Sequence, residues 1–435
     1  MDGINQLCAQ LNKKYGGKVV GSARSMAVPR RYLSTGSLAL DIDLGGGIRV
    51  GRIACFWGER SCGKTTTALR VVADAQKRCR NCYRYAKNVE IVPVEGTDGI
   101  GRWQTVGECD CYREGLFLAH GPKPESKEGK RDYQNRLTAW EEQMTENSYG
   151  EFAACLIDSE DSFDDEWATE IGVDPRTLLL IQSAFGEEAV DMVQHVIHSG
   201  LVDLMVVDSM AHFTPMVEYE KSAEEWQQAL QARITNKGVR KFVSAAMLSR
   251  RQTNRPITQI WINQQRVTLA TGKSHYGPKT QKPGGKGQEY AIHSEVKFAY
   301  AKVEKAEESF SRKLVHEAGG EEKSTGEALK REVPTQEAFH YTVTKSKVAP
   351  SKNKEGVYTQ AMRDWGEHKA GQVIEDAYFY QLVMTVLVKQ TKSGYMLGDA
   401  TYKTQTALRN AVDEDPELKT SLRSLLVETL TSWHG

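Results

Sequence analysis

The sequence predicts an α/β protein built on a mostly parallel sheet, with a small second α/β unit at its carboxyl end. Three observations carry this. The runs "FAACLIDSE" (152–160), "LLLIQS" (178–183), "VDLMVVDS" (202–209) and "ITQIWINQ" (257–264) lack the polar alternation of a half-solvated strand and suit a sheet covered on both faces. Helical patterns around 186–199 and 222–249 separate them, and strand–helix alternation argues parallel connections. A glycine-rich loop, "GERSCGKT" (58–65), stands between a strand pattern and a helix pattern.

The bulk composition sets bounds. The 435 residues are 40% hydrophobic and 26% charged, enough for two or three domains and a large core. Lys and Arg total 57 against 57 Asp and Glu, so no global field draws the chain to nucleic acid or membrane, and such binding must come from local patches. No apolar run reaches the length of a membrane span, and the first thirty residues lack a secretory apolar core. A cytoplasmic protein with no membrane partner is expected.

Taken in order, residues 1–31 begin with a sparse helical stripe of Ile4, Leu7 and Leu11 and continue as a polar linker. A core domain occupies 32–78 and 151–370. Its short segments "GSLALDIDLGGG" and "GRIACFW" lead into the loop, and Ala68, Leu69, Val72 and Ala75 give the following helix an apolar face. Residues 79–150 interrupt the core where the next strand should begin within a few residues. Residues 266–287, rich in Gly, Pro, Lys and Thr, form a long loop, and the highly charged 304–338 reads as a surface excursion or flexible insert. A small α/β domain, 371–435, closes the chain.

Gly58, Glu59, Arg60, Ser61, Cys62, Gly63, Lys64 and Thr65 fit the phosphate-loop pattern G-x-x-x-x-G-K-[ST], and Thr66 follows it into the helix. The glycines let backbone amides wrap phosphates, and the helix start adds partial positive charge. Lys64 should reach the β/γ oxygens of ATP, and Thr65 should place its hydroxyl on Mg²⁺. Cys62 is either a redox switch or, more simply, a tolerated small residue. Asp208 ends the strand "LMVVD", where a second metal-holding carboxylate sits in such proteins. Glu160 ends "ACLIDSE", where a carboxylate can deprotonate the attacking water.

The interruption carries Cys79 and Cys82, then twenty-six residues, then Cys109 and Cys111. Two close thiolate pairs suit tetrahedral Zn²⁺, and the strand-like "NVEIVPVEG" and "GRWQTVGE" between them suit a zinc ribbon. Such a metal contributes on the order of 10 kcal/mol to folding a small unit. Tyr133, Leu137, Trp140 and Met144 then recur at helical spacing. Four Lys/Arg against six Asp/Glu over 83–120 make a poor phosphate surface, which favours a structural or subunit-contact role over DNA binding.

With these pieces in place the chain resembles bacterial RecA-type recombinases. The matching stretches are "LSTGSLALDIDLGGGIRVGRI", "GERSCGKTT", "LIDSEDSFDDEWATEIGVD", "VDLMVVDSMAHFTP", "WINQQR", "GGKG" and "VTKSKVAP", in the family's order. The likeness covers most of the chain outside 79–150 and about 304–338. It implies a RecA-like phosphate-loop ATPase core and helical filaments on single-stranded DNA with ATP at each subunit interface. It also implies pairing and strand exchange with homologous double-stranded DNA. Position by position, it makes Glu160 the catalytic glutamate and Trp167 an aromatic near the adenine. Asp208 and Ser209 match the second nucleotide motif, and Gln264 a sensor of the γ-phosphate. Lys345 and Lys347 match two lysines that reach the neighbouring subunit's ATP, as an arginine finger does. The stripe at Ile4, Leu7 and Leu11 matches a subunit-docking helix.

A DNA surface is expected at Arg266, Lys273, Lys279, Lys282 and Lys286, five cations with no acid until Glu289, interleaved with Gly284 and Gly285. If all five neutralised phosphates, the log–log salt slope would be roughly −3.5 on single strands. The position of this loop after "INQQR" matches the family's second DNA loop. Arg233 and Arg240 match positions beside its first DNA loop and, seven apart, share a helix face. The first loop itself, around 218–228, departs from the family's glycine-containing pattern, and the chain ends "TSWHG" without the family's acidic tail. An extra ribbon and no such tail suit a bacteriophage source and a phage-infected host cell. A ring helicase or branch-migration motor of the same fold, and a non-catalytic regulatory filament, are the competing readings.

Overall fold

The structure is a computed structural model that describes residues 2–28, 30–78, 80, 86–93, 100–107, 116–118, 129, 131–136, 138, 152–220, 228–253, 255–267, 280–282, 285–310, 329–347 and 352–432. Its amino-terminal part holds α1 (Asp2–Tyr15), α2 (Ala23–Met26), β1 (Tyr32–Leu33), α3 (Leu38–Leu44), β2 (Ile48–Arg49), β3 (Ile53–Gly58) and α4 (Lys64–Gln76). The insertion shows β4 (Ala86–Pro93), β5 (Ile100–Gly107) and β6 (Leu116–Leu118). The core resumes with β7 (Ala154–Asp158), α5 (Asp165–Ile171), β8 (Leu178–Gln182), α6 (Gly186–Ser199), β9 (Leu204–Asp208), α7 (Met216–Glu220) and α8 (Gln228–Thr253). After these come β10 (Thr258–Gln264), β11 (Arg266–Val267), β12 (Thr280–Gln281) and α9 (Gly285–Ala291). Next are β13 (Ser294–Phe310), β14 (Leu329–Ser346), β15 (Glu355–Ala361) and β16 (Val373–Ile374). The carboxyl-terminal unit contains α10 (Asp376–Leu382), β17 (Val388–Thr391), β18 (Gly394–Leu397), β19 (Ala400–Tyr402), α11 (Gln405–Asp413) and α12 (Pro416–Ser432).

Nine strands form the main sheet in the order β16-β15-β14-β13-β3-β10-β9-β7-β8. From β13 to β8 neighbours are parallel, and β14, β15 and β16 add an antiparallel edge. Side-chain alternation explains why the inner strands are apolar throughout. Ala54, Phe56, Leu156, Val206 and Ile260 face one buried layer with α4. Cys55, Cys155, Ile157, Met205, Val207 and Trp261 face the other, with α6 and α8. Cover on both faces does not extend to β8, an edge strand that leaves Leu179 and Leu180 exposed.

The described limbs of the charged stretch 304–338 are paired strands. β13 runs to Phe310 and β14 starts at Leu329, and these two residues pair as the last rung of a ribbon. Charge does not oppose pairing where the ribbon stands in solvent, and Lys305 lies 3.6 Å from Glu332 across it. In the carboxyl-terminal unit, Phe379, Val383, Leu408, Val412, Leu422 and Leu426 share a core with Leu38 of α3. Glu375 fastens this junction, accepting from the Leu38 N–H at 2.6 Å and the Ser37 hydroxyl at 3.1 Å and pairing with Arg423.

The insertion leaves the core under restraint. Arg78 pairs with Asp74 one turn earlier at 2.6 Å, and Arg80 pairs with the buried Asp203 at 2.8 Å. Arg80 also donates to the carbonyl of Leu201 at 2.7 Å. Beyond these pins β4, β5 and β6 make an antiparallel sheet. Cys79, Cys82, Cys109 and Cys111 lie outside the described residues, as do Leu137, Trp140 and Met144.

Phe56 is fully buried and packs edge-on against Phe298 with ring centroids 5.3 Å apart. Phe56→Ala should lower the stability of the core by about 3–5 kcal/mol, read as an earlier denaturant midpoint by circular dichroism.

Candidate nucleotide site and nucleic-acid surface

The carboxyl ends of β3, β7, β9 and β10 lie side by side because their registers align. Gln264 is opposite Gly58, and Asp158 is opposite Asp208. Loops leaving this edge therefore converge, as in other open parallel sheets.

After β3 the chain turns through Ser61 at φ 53° into Gly63 at φ 80°, which begins α4. A side chain at Gly63 would strain that left-handed backbone, and its Cβ would fall 2.9 Å from the Phe339 ring. Lys64 is buried, and its Nζ donates to the loop's own Glu59 carbonyl, an acceptor that a phosphate oxygen would replace. Cys62 is buried with Sγ 2.9 Å from the same carbonyl oxygen, and burial pushes its thiol up, away from the reactive thiolate. Packing, not redox chemistry, accounts for it.

Thr65 Oγ1 donates to Asp208 Oδ2 at 2.5 Å. Burial, and then the nearby charges of Glu160 and Asp158, push Asp208 up to about 7. A hydroxyl and a buried carboxylate, both hard oxygen donors, fit Mg²⁺, which would relieve the unfavourable burial of the charge. Among the described residues no cluster of three or more His, Cys, Asp or Glu side chains forms a further metal site.

Glu160 is placed by the turn after β7. Asp158 Oδ2 accepts from the N–H groups of Ser162 at 2.8 Å and Phe163 at 2.9 Å, and Oδ1 from that of Glu160 at 3.1 Å. Ser159 ties this turn to the next strand, its N–H donating to the Asp208 carbonyl at 2.7 Å. Glu160 Oε1 then accepts from Ser209 Oγ at 2.7 Å and Gln264 Nε2 at 2.9 Å, with His212 Nδ1 at 2.8 Å. Asp158, Ser159 and His212 are additions to the expected set. The alternation in "DSEDS" was the signal for Asp158, because an acid followed by a turn can take the N–H groups ahead of it.

Trp167 is half-buried on α5, where Asp164 caps the helix by accepting from its N–H at 2.9 Å. Lys345 and Lys347 sit at the other end of the sheet. Lys345 lies level with Cys55 through Glu295, and the Lys347 N–H bonds to the carbonyl of His293, whose N–H bonds to that of Ile53. A strand rises roughly 10 Å from Cys55 to Gly58 and roughly 16 Å from Ile53 to Gly58, so these lysines do not reach their own chain's phosphate loop. Their ammonium groups rest on the carbonyls of Glu289 and Tyr290 in the last turn of α9.

The expected DNA surface is described in part. Arg266 is exposed at the base of the ribbon β11–β12, paired in register with Gln281. Arg233 and Arg240 are exposed on α8. Gly285 and Lys286 open α9, while Lys273, Lys279 and Gly284 lie outside the described residues. Lys282 differs from the expectation of a free cation, because its side chain is turned inward onto Glu295. A nearly buried carboxylate needs a cation, and Lys282 supplies it. Ile4 and Leu7 of α1 are exposed, and no described helix is long and apolar enough to cross a membrane.

Comparison with known proteins follows the same outline. The family model described as the RecA N-terminal domain matches residues 2–88 and 137–316. Protein RecA of Fusobacterium nucleatum is 26% identical over 431 residues, 98% of this chain and 84% of that protein. Protein RecA of Nitratiruptor sp. is 29% identical over 278 residues, 63% of this chain and 58% of its own length. Protein RecA of Sulfurovum sp. is 30% identical over 284 residues, 65% and 59%. The match thus spans less than two thirds of the latter two relatives.

Asp208 holds a proton below about pH 7 in the nucleotide-free fold, and a metal ion must displace it. The affinity for Mg²⁺-ATP should therefore fall as pH drops below about 7, by up to about tenfold per unit. Calorimetry in buffers of different ionisation enthalpy should detect the released proton, and Asp208→Asn should abolish it.

Proposed function

This chain belongs to the RecA family, and from that premise we propose that it is an ATP-dependent recombinase. It would form helical filaments on single-stranded DNA and promote pairing and strand exchange with homologous double-stranded DNA. The carrying observation is the division of the site. Lys64, Thr65, Asp208, Glu160 and Gln264 meet at one end of the parallel sheet, while Lys345 and Lys347 stand at the other. A subunit stacked on its neighbour would bring its two lysines to the neighbour's phosphates, which makes hydrolysis depend on assembly.

In this reading Lys64 and the amides at the head of α4 grip the β- and γ-phosphates. Mg²⁺, held by Thr65 and Asp208, would neutralise charge on the same oxygens. Glu160 orients and deprotonates the attacking water with the oxygen that Gln264 and Ser209 leave free. Gln264 stands two residues before Arg266, so a rearrangement of the DNA ribbon acts directly on the glutamate's partner. Trp167 would flank the base. Arg266 with Lys273, Lys279 and Lys286, and Arg233 with Arg240, would track the strand's phosphates. Gly284 and Gly285 let the backbone follow it. Ile4, Leu7 and Leu11 would dock α1 on the adjacent subunit. Ring-forming motors and nucleotide-dead filaments are not favoured, since the relatives matched are RecA proteins and Lys64, Glu160 and Asp208 are all in place. The cytoplasm of a bacterium, or of a phage-infected host, is the proposed setting.

The insertion is proposed to be a zinc ribbon held by Cys79, Cys82, Cys109 and Cys111. Their spacing supports this, as does the antiparallel pairing of β4 and β5 between the two pairs.

Electron microscopy with single-stranded DNA and a slowly hydrolysed ATP analogue should show helical filaments, and their absence would overturn the recombinase reading. Glu160→Gln should keep the filaments and lower DNA-stimulated hydrolysis roughly 100-fold or more. Purified protein should carry about one zinc per chain, lost in Cys79→Ser, and metal-free protein as isolated would remove the ribbon.

A further inference from the structure

The two oxygens of Glu160 are treated differently. Oε1 takes Ser209 Oγ at 2.7 Å, Gln264 Nε2 at 2.9 Å and His212 Nδ1 at 2.8 Å. Oε2 has no hydrogen bond to protein among the described residues. The first two donors come from residues that the family motifs cover. His212, in "SMAHFTP", has no role in that set.

The contact fixes a proton. A bare imidazole nitrogen would repel a carboxylate oxygen at 2.8 Å, so Nδ1 carries hydrogen and donates. Ser209 Oγ, 3.0 Å from the same nitrogen, gives its own hydrogen to Oε1 and shares that of the ring. The His212 side chain is 39% exposed, and Nε2 has no protein partner among the described residues.

We propose that His212 is a positioning residue for ATP hydrolysis: its Nδ1–H holds Oε1 of Glu160 so that Oε2 faces the attacking water. The inference rests on the recombinase reading above. The ring supplies one hydrogen bond that, with those of Ser209 and Gln264, fixes the carboxylate through a single oxygen.

The test measures kcat and KM for ATP on single-stranded DNA. His212→Asn keeps an N–H donor near Nδ1, and its kcat should stay within about threefold of wild type. His212→Ala removes the donor and should lower kcat roughly tenfold, with KM and melting temperature unchanged. The proposal is overturned if His212→Ala matches the wild-type kcat, or if His212→Asn loses as much kcat as His212→Ala. Wild-type protein that hydrolyses no ATP on DNA would instead overturn the functional reading itself.

Discussion

Two buried carboxylates are forced together by the parallel register of β7 and β9, which sets Asp158 opposite Asp208. Like charges this close, in a site shielded from water, cannot both be left bare. The fold resolves the conflict unevenly. Asp158 is surrounded by the N–H groups of Glu160, Ser162 and Phe163. Asp208 has the hydroxyl of Thr65 and is pushed up to about 7 by burial. Only one of the pair is therefore left needing a cation. The same bonds to Asp158 curl the chain through Asp161 at φ 52° and carry Glu160 over to Ser209 and Gln264. One constraint of register thus yields both a metal-seeking acid and an oriented base.

Most of this edge was legible in the sequence because it is local. A phosphate loop is a contiguous pattern, and an acid at the end of an apolar run marks the carboxyl end of a strand. Lys64, Thr65, Glu160 and Asp208 needed no knowledge of the third dimension beyond strand order, whereas Gln264 was marked only by the family resemblance. Relations between elements were less legible. Lys282 looked like one of a row of cations, but its partner, Glu295, lies on another strand and is hidden until the sheet is built. His212 was silent because its meaning depends on Glu160, fifty-two positions earlier in the chain. Charge density marked 304–338 as a surface excursion but did not show that its two limbs, far apart in sequence, pair as strands.

The insertion shows how a domain can be opened without disturbing its site. The cut falls after α4, at the end of that helix remote from the phosphate loop, and returns at β7, between β9 and the edge strand β8. A tether at such a place would tug on the strand that carries Glu160 unless its root were fixed. Arg78 on Asp74 and Arg80 on Asp203 provide that root, the second pair only 8% and 7% exposed. Asp203 also accepts from the Ala153 N–H at 3.1 Å, so the exit and the re-entry of the insertion meet on one carboxylate. Arginines that could pass for a nucleic-acid surface in the sequence are here the clamp that isolates the insertion from the core.

The short helix α9 lies between the proposed functions. Its first residues, Gly285 and Lys286, leave the basic loop; Gln288 in its middle accepts from Asn263 Nδ2 at 3.2 Å, next to Gln264; and its last turn gives the carbonyls of Glu289 and Tyr290 to Lys345 and Lys347. Seven helical residues span about 10 Å. Within that length one element touches the residue before the proposed sensor, the loop proposed for DNA and the two lysines proposed to reach a neighbour. In the isolated subunit those lysines are occupied by helix carbonyls, weak partners compared with a phosphate. In the proposed filament a neighbour's nucleotide would draw them away from the end of α9 whose other end adjoins the loop.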